Sequence, residues 1–272
     1  MQTKQVFVAV LLSLLGSLGV ASAELKTQDI EYKVGSTVLQ GVAAWDDAQP
    51  GKRPGVLVVH EWWGLNAHAK NQALRLAKAG YVGFALDMYG KGKLAQHPKD
   101  AQAFVAEATS DPATARARFA AGLAQLRKLP QVDPGKVAAI GYCFGGAVVL
   151  DMARVGEELL AVASFHGALG SKLKAPKGIK PRILVATGSD DPMVPAELVT
   201  AFENEMTAAG ARFQVIRYPG AKHGFTNPDA DKAGMPALGY NAAADTASWD
   251  ALLKLLSEVF GKPPVGKQGK QG

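Results

Sequence analysis

Cysteine occurs once in this chain, at position 143, in a setting that gives it chemistry. Lys136 to Leu150 reads KVAAIGYCFGGAVVL, and its apolar run Val137–Ile140 is the kind that forms a buried strand. Gly141-Tyr142-Cys143-Phe144-Gly145-Gly146 follows, and Ala147, Val148, Val149, Leu150, Met152 and Ala153 continue as a helix. The spacing G-x-nucleophile-x-G between a strand and a helix is a nucleophile elbow, with cysteine where serine is commoner. So tight a turn holds its central residue in a strained conformation costing on the order of 1–3 kcal/mol. Glycines on either side are needed because strand and helix nearly collide there. The helix N-terminus favours negative charge at its first residues, which suits a thiolate nucleophile. A lone cysteine is more often a small buried hydrophobe. The strand–elbow–helix context argues instead for a nucleophile, which needs a base, an orienting acid and donors for an oxyanion.

Two histidines follow Cys143, at His166 and His223. Behind such an elbow the order is nucleophile, acid, histidine, and only His223 has a strand-end carboxylate between it and the cysteine. His166 is expected to line the site or to be buried and satisfied. The acid lies in Gly188-Ser189-Asp190-Asp191-Pro192-Met193-Val194-Pro195, where Asp190 and Asp191 compete. The pattern G-x-x-D-x-x-V-P selects Asp191, and helix capping ahead of Pro195 is the other use for either aspartate. The oxyanion donors are the backbone N–H of Phe144, after the nucleophile, and by position that of Trp62.

The elements that carry these residues alternate. Residues 27–45 read as an edge hairpin turning at Gly35-Ser36. Continuous apolar runs at 55–59, 81–86, 137–140, 160–165, 182–186 and 213–218 read as buried strands. Helical spacing falls at 68–79, 99–109, 112–128, after the elbow, at 196–209, and in a last stripe of Trp249, Leu252, Leu253, Leu256 and Phe260. This predicts one α/β domain, a doubly wound and mostly parallel sheet with an antiparallel N-terminal hairpin. Each polar cluster follows the carboxyl end of a strand, where sites form in such sheets.

With these residues in view, the chain resembles the dienelactone hydrolase family. The resemblance rests on GYCFGG at 141–146, HEWWGLN at 60–66, ALDMYGKG at 85–92, DDPMVP at 190–195 and AKHGFTNP at 221–228. It spans roughly Gln28 to Phe260, with 48 residues from Cys143 to Asp191 and 32 from there to His223. It implies the α/β-hydrolase fold, hydrolysis of an ester or lactone, and a Cys-Asp-His triad on Cys143, Asp191 and His223. It also implies that Glu61 interacts with the resting thiol. Tyr89, Lys91, Trp63 and His166 are expected to bind substrate. Family members that hydrolyse dienelactone hold its carboxylate with two arginines, at positions occupied here by Lys91 and Asn227. Lysine meets a carboxylate as a point charge and not bidentately. Asn227 brings no charge, which turns the expectation from dienelactone itself to other esters or lactones.

The chain opens MQTKQVFVAVLLSLLGSLGVASA, with Lys4, an apolar stretch from Val6 to Leu18, and Ala21-Ser22-Ala23. This reads as a secretory signal peptide cleaved after Ala23, with export to a bacterial periplasm. Residues 24–261 then form the hydrolase domain, and the Pro/Gly/Lys/Gln-rich 262–272 a disordered tail. The net charge of +6 becomes +2 for residues 24–261 once Lys4, Lys262, Lys267 and Lys270 are set aside. No basic face for nucleic acid is visible in that remainder, and no further segment suits a bilayer. No C-x-x-C or spaced histidine cluster points to a redox or metal protein, so no cofactor and no metal are expected. A small-molecule ester or lactone is the expected partner, and a monomer is favoured. The alternatives are a non-catalytic binding protein on a hydrolase fold, or a thioesterase or peptidase using the same triad.

Overall fold

The computed structural model describes residues 24–262; the expected signal peptide, and the expected tail from 263 onward, lie outside the described residues. Strands β1 (Leu25–Val34) and β2 (Thr37–Asp46) form the antiparallel hairpin, and β2 also pairs antiparallel with β4 (Val82–Leu86). The remaining strands are β3 (Arg53–Val59), β5 (Val132–Tyr142), β6 (Ala161–Phe165), β7 (Arg182–Gly188) and β8 (Phe213–Tyr218). The sheet order is β1-β2-β4-β3-β5-β6-β7-β8, with every pair from β4 to β8 parallel.

Every residue of β3, β4 and β6 is buried, as parallel strands covered on both faces require. Alternate side chains go to opposite faces. Leu57, Val59, Phe84 and Val185 pack beneath α3 (Pro112–Lys128), α4 (Phe144–Arg154) and α5 (Ala196–Ala208), through Phe119, Val149 and Phe202. Val56, Val58, Ile140 and Leu184 face α1 (Ala67–Lys78) and α6 (Ala242–Phe260), through Leu76, Leu252 and Leu256. The buried stripe of α6 also includes Leu255, and partly buried Trp249 packs against the same core while carrying the Arg75 guanidinium 4.0 Å above its ring. α2 (Pro98–Thr109) packs on α3. Polar residues start three of these helices: Asn66, Asp111 and Asn241 accept backbone N–H bonds from Ala69, Ala113 and Ala244. Among the described residues no helix is long and apolar enough to cross a membrane.

Two features of the fold position the polar clusters. β4 lies on one side of β3 and β5 on the other, so the loops leaving β3 and β5 part and open a crevice. The stretch between β8 and α6, which has no strong periodicity, is an ordered loop with a short 3-10 turn at Ala230–Ala233. It folds back on itself, with His223 N–H donating to Ala237 O at 3.1 Å and Gly239 N–H to His223 O at 3.1 Å.

Candidate active site

Cys143 sits between β5 and α4 with φ 51° and ψ −115°, a left-handed conformation that no side chain of its own relieves. Its N–H is anchored to Phe165 O at 3.0 Å. A Cβ on Gly141 would lie 2.0 Å from Gly145 O, and one on Gly145 would lie 2.3 Å from Val59 O. Strand, turn and helix therefore close on each other with backbone on both sides, and a methyl group at either glycine forces them apart. The thiol is free and half-buried.

The loops after β7 and β8 bring the acid to the histidine. Asp190 N–H donates to Ala221 O at 3.0 Å and Ser189 N–H to Tyr218 O at 2.9 Å, tying one loop to the other. His223 Nδ1 then lies 2.9 Å from Asp191 Oδ2, both residues buried, while Asp190 is exposed. Asp191 Oδ1 accepts the Met193 N–H at 2.8 Å, so the aspartate stabilises its own turn. It does not cap α5, which starts at Pro195 with no side-chain cap. Burial works to lower the His223 pKa, but hydrogen bonding to Asp191 and Cys143, and their charges, outweigh it and raise the pKa to about 10. Nε2 has no partner at strict hydrogen-bond geometry, yet the sulfur is near enough to exert that effect. Such bonds are commonly long without substrate and tighten when it arrives.

Glu61 leaves β3 into the crevice and is buried, with Oε2 accepting a 2.7 Å bond from Asn227 Nδ2. Burial raises its pKa to about 7, against the lowering effects of Asn227 and the His223 charge. Asn227, expected at a substrate-contacting position, is a buried support for Glu61 instead. Its Oδ1 also accepts the Asp229 N–H at 3.0 Å. The backbone N–H groups of Trp62 and Phe144 enter no hydrogen bond among the described residues. Phe144 opens α4, where such groups are free by construction.

The residues expected around the substrate divide. Trp63 is half-buried with its ring 4.9 Å from that of Trp62. Tyr89 is buried and its hydroxyl donates to Trp62 O at 3.1 Å, so it supports the loop after β3 from below. His166 is fully buried at φ 41°, bonded through Nε2 to Thr226 Oγ1 at 2.9 Å and edge-on to His223 at 5.1 Å. It backs the histidine; burial, then the positive charge of His223, pushes its pKa well down. Lys91 stands at the hairpin: its ammonium pairs with Glu31 on β1 in an exposed contact, and its N–H bonds Val38 O. Three residues were not singled out from sequence: His60, Asp87, whose Oδ1 holds the Tyr89 and Gly90 N–H groups, and Thr226. His60 carried a usable signal, being the last residue before Glu61 at the strand end. Asp87 carried the same one, directly after the run at 81–86, and Thr226 only its place in the cluster that follows the last strand.

The fold and the grouping at its carboxyl edge are those of an α/β hydrolase. Residues 39–260 match the model of the dienelactone hydrolase family, and the chain belongs to that family. A putative carboxymethylenebutenolidase of Synechocystis is 30% identical over 224 residues, covering 75% of this chain and 86% of that one. Among solved structures, a dienelactone hydrolase-like promiscuous phosphotriesterase from metagenomic libraries is 39% identical with a TM-score of 0.84, covering 88% of this chain and all of that one. A second, m3DLH, is 38% identical with a TM-score of 0.83, covering 87% and 99%. The chain is accordingly an ester or lactone hydrolase.

Proposed function

We propose that the hydrolysis runs through a covalent thioester on Cys143. The observation that carries this is the buried Asp191–His223 bond at 2.9 Å, with Nε2 left for a cysteine held in a left-handed elbow. Cys143 Sγ bonds to the acyl carbon while its proton passes to His223 Nε2. The carbonyl electrons move onto oxygen, which the Trp62 and Phe144 N–H groups receive. Collapse breaks the bond to the leaving oxygen, which takes the proton from His223. Water, losing a proton to His223, then attacks the thioester and frees the acid and the thiol. A histidine pKa near 10 favours the first transfer. Asp191 holds the ring and balances its charge, and Glu61 stands beside the pair.

The substrate is an uncharged small ester or lactone. Asn227 is uncharged and bonded to Glu61, and Lys91 pairs with Glu31, which argues against a cation dedicated to a substrate carboxylate. Likeness to the promiscuous phosphotriesterase, at 39% identity, favours a second activity on phosphotriesters, with the same sulfur attacking phosphorus and one ester oxygen leaving with the proton from His223. A panel of neutral and anionic aryl esters, lactones and a phosphotriester, run on wild type and Cys143→Ala, tests the reading. Turnover of neutral esters that disappears in Cys143→Ala supports it, and a preference for anionic esters contradicts the substrate class. We propose further that residues 1–23 direct export and are removed. An intact mass beginning at Glu24 supports this, and a mass retaining those residues contradicts it.

A further inference from the structure

We propose that His60 is a positioning residue for the oxyanion site, setting the direction of the Trp62 N–H by holding the carbonyl that precedes it. The inference rests on the proposed role of Trp62 as an oxyanion donor. Met88 N–H, which can only donate, points at His60 Nε2 from 3.1 Å. Nε2 is therefore the acceptor nitrogen and the ring proton is on Nδ1. Nδ1 lies against Glu61 O and donates to it. The described chain has no cis peptide bond, so the Glu61 carbonyl and the Trp62 N–H point in opposite directions from one rigid plane. Fixing the one aims the other. Tyr89 does the same for the next peptide through Trp62 O, and its ring meets His60 edge-on at 4.7 Å.

The surroundings fit an imidazole that never changes charge. His60 has no exposed surface, and burial keeps its pKa down against the opposing bond to Glu61 O. Its ring lies 6.0 Å from that of Phe144, the residue bearing the other proposed donor, and a Cβ on Gly145 would lie 2.7 Å from His60 O. His60 thus joins the loop after β4 and the loop after β3 through its ring nitrogens, and meets the start of α4 through its ring and its backbone carbonyl. Because it is bonded on both nitrogens, it is unavailable for proton transfer.

His60→Gln keeps a donor and an acceptor, whereas His60→Leu removes both. On 4-nitrophenyl acetate, His60→Leu is expected to lower kcat on the order of 10- to 100-fold, as for loss or misaiming of one oxyanion donor. KM should stay within about twofold, and His60→Gln should recover most of kcat. Iodoacetamide alkylates Cys143 by displacing iodide from carbon and forms no oxyanion, so its rate should not change in either variant. A wild-type kcat in folded His60→Leu overturns the proposal, and so does an equal loss of hydrolysis and alkylation, which would make His60 general support for the site. Ester hydrolysis by Cys143→Ala would be a different failure, that of the nucleophile assignment. Should His60→Leu not fold, the imidazole nitrogen shifts of the wild-type protein decide: an Nδ1–H tautomer for His60 supports the proposal, and an Nε2–H tautomer overturns it.

Discussion

The two ends of the sheet are built from the same strands and have little else in common. At the carboxyl ends His60, Glu61, Asp87, His166, Asp191 and His223 are each 5% exposed or less. At the amino ends of β7 and β8, with the end of α6, Arg182, Arg212, Lys254 and Glu258 surround an open groove of ≈ 640 Å³. A second groove of ≈ 880 Å³ adds Arg127, Glu158 and Lys180. The Arg182–Glu258 pair there stays in water, 35% and 37% exposed. An exposed pair is screened and contributes little. A desolvated polar group costs free energy unless bonded, and its pKa moves. What separates these two groups of residues is the burial of their polar side chains.

The largest break in that contrast should come from the histidine. His223→Ala should lower kcat/KM about 10⁴-fold or more, and adding Cys143→Ala should make it hardly worse, since such groups act as a unit. Arg212→Ala, at the opposite end, should stay within about twofold. Steady-state assays on a neutral aryl ester compare them directly. Asp191→Asn comes next, with a loss on the order of 10³-fold, while exposed Asp190→Asn should cost no more than a few-fold. The reverse order would move the acid by one residue.

Smaller effects should appear in stability against pH. The folded Glu61 pKa of about 7 lies above its ordinary 4.5. Between those values the folded protein holds a proton that the unfolded chain has lost, so stability falls as pH rises from about 4.5 to about 7. Glu61→Gln should remove that part of the slope in a series of melting temperatures. His223 acts above it: its stabilisation is complete below 6.5 and fades as pH rises through about 10. Asn227→Leu leaves the Glu61 carboxylate without its donor and should cost about 1–3 kcal/mol above pH 7, less at pH 5 where the acid is protonated. The smallest change belongs to Lys91→Ala, which breaks only an exposed pair with Glu31. Stability should shift by less than about 1 kcal/mol and KM not at all; a clear rise in KM would return Lys91 to the site.

Most of the fold could be read in the sequence because parallel strands buried on both faces leave continuous apolar runs, as in Val56–Val59 and Val137–Ile140. Cys143, Asp191 and His223 could be placed because each follows such a run, and because Gly141 and Gly145 announce a collision that the structure contains. The supports were harder to see. Asn227 meets Glu61 across 166 residues of chain, and nothing local in either loop records the other. The pairing of Lys91 was hidden in the same way, because Glu31 belongs to a hairpin whose position beside the Lys91 loop depends on sheet order. Local pattern shows which residues stand at a strand end. Which of them face each other is decided by topology.

The central claim is that an acyl group passes through Cys143, and mass spectrometry of the quenched enzyme tests it most directly. Mixing with 4-nitrophenyl acetate and quenching in acid within milliseconds should give a protein heavier by one acetyl group, on the peptide that contains Cys143. The adduct should form with the burst of nitrophenol, persist longer in His223→Ala if it forms there at all, and be absent from Cys143→Ala. An acetyl group on another residue that turns over at the rate of hydrolysis, or full turnover with no adduct in Cys143→Ala, would contradict the account.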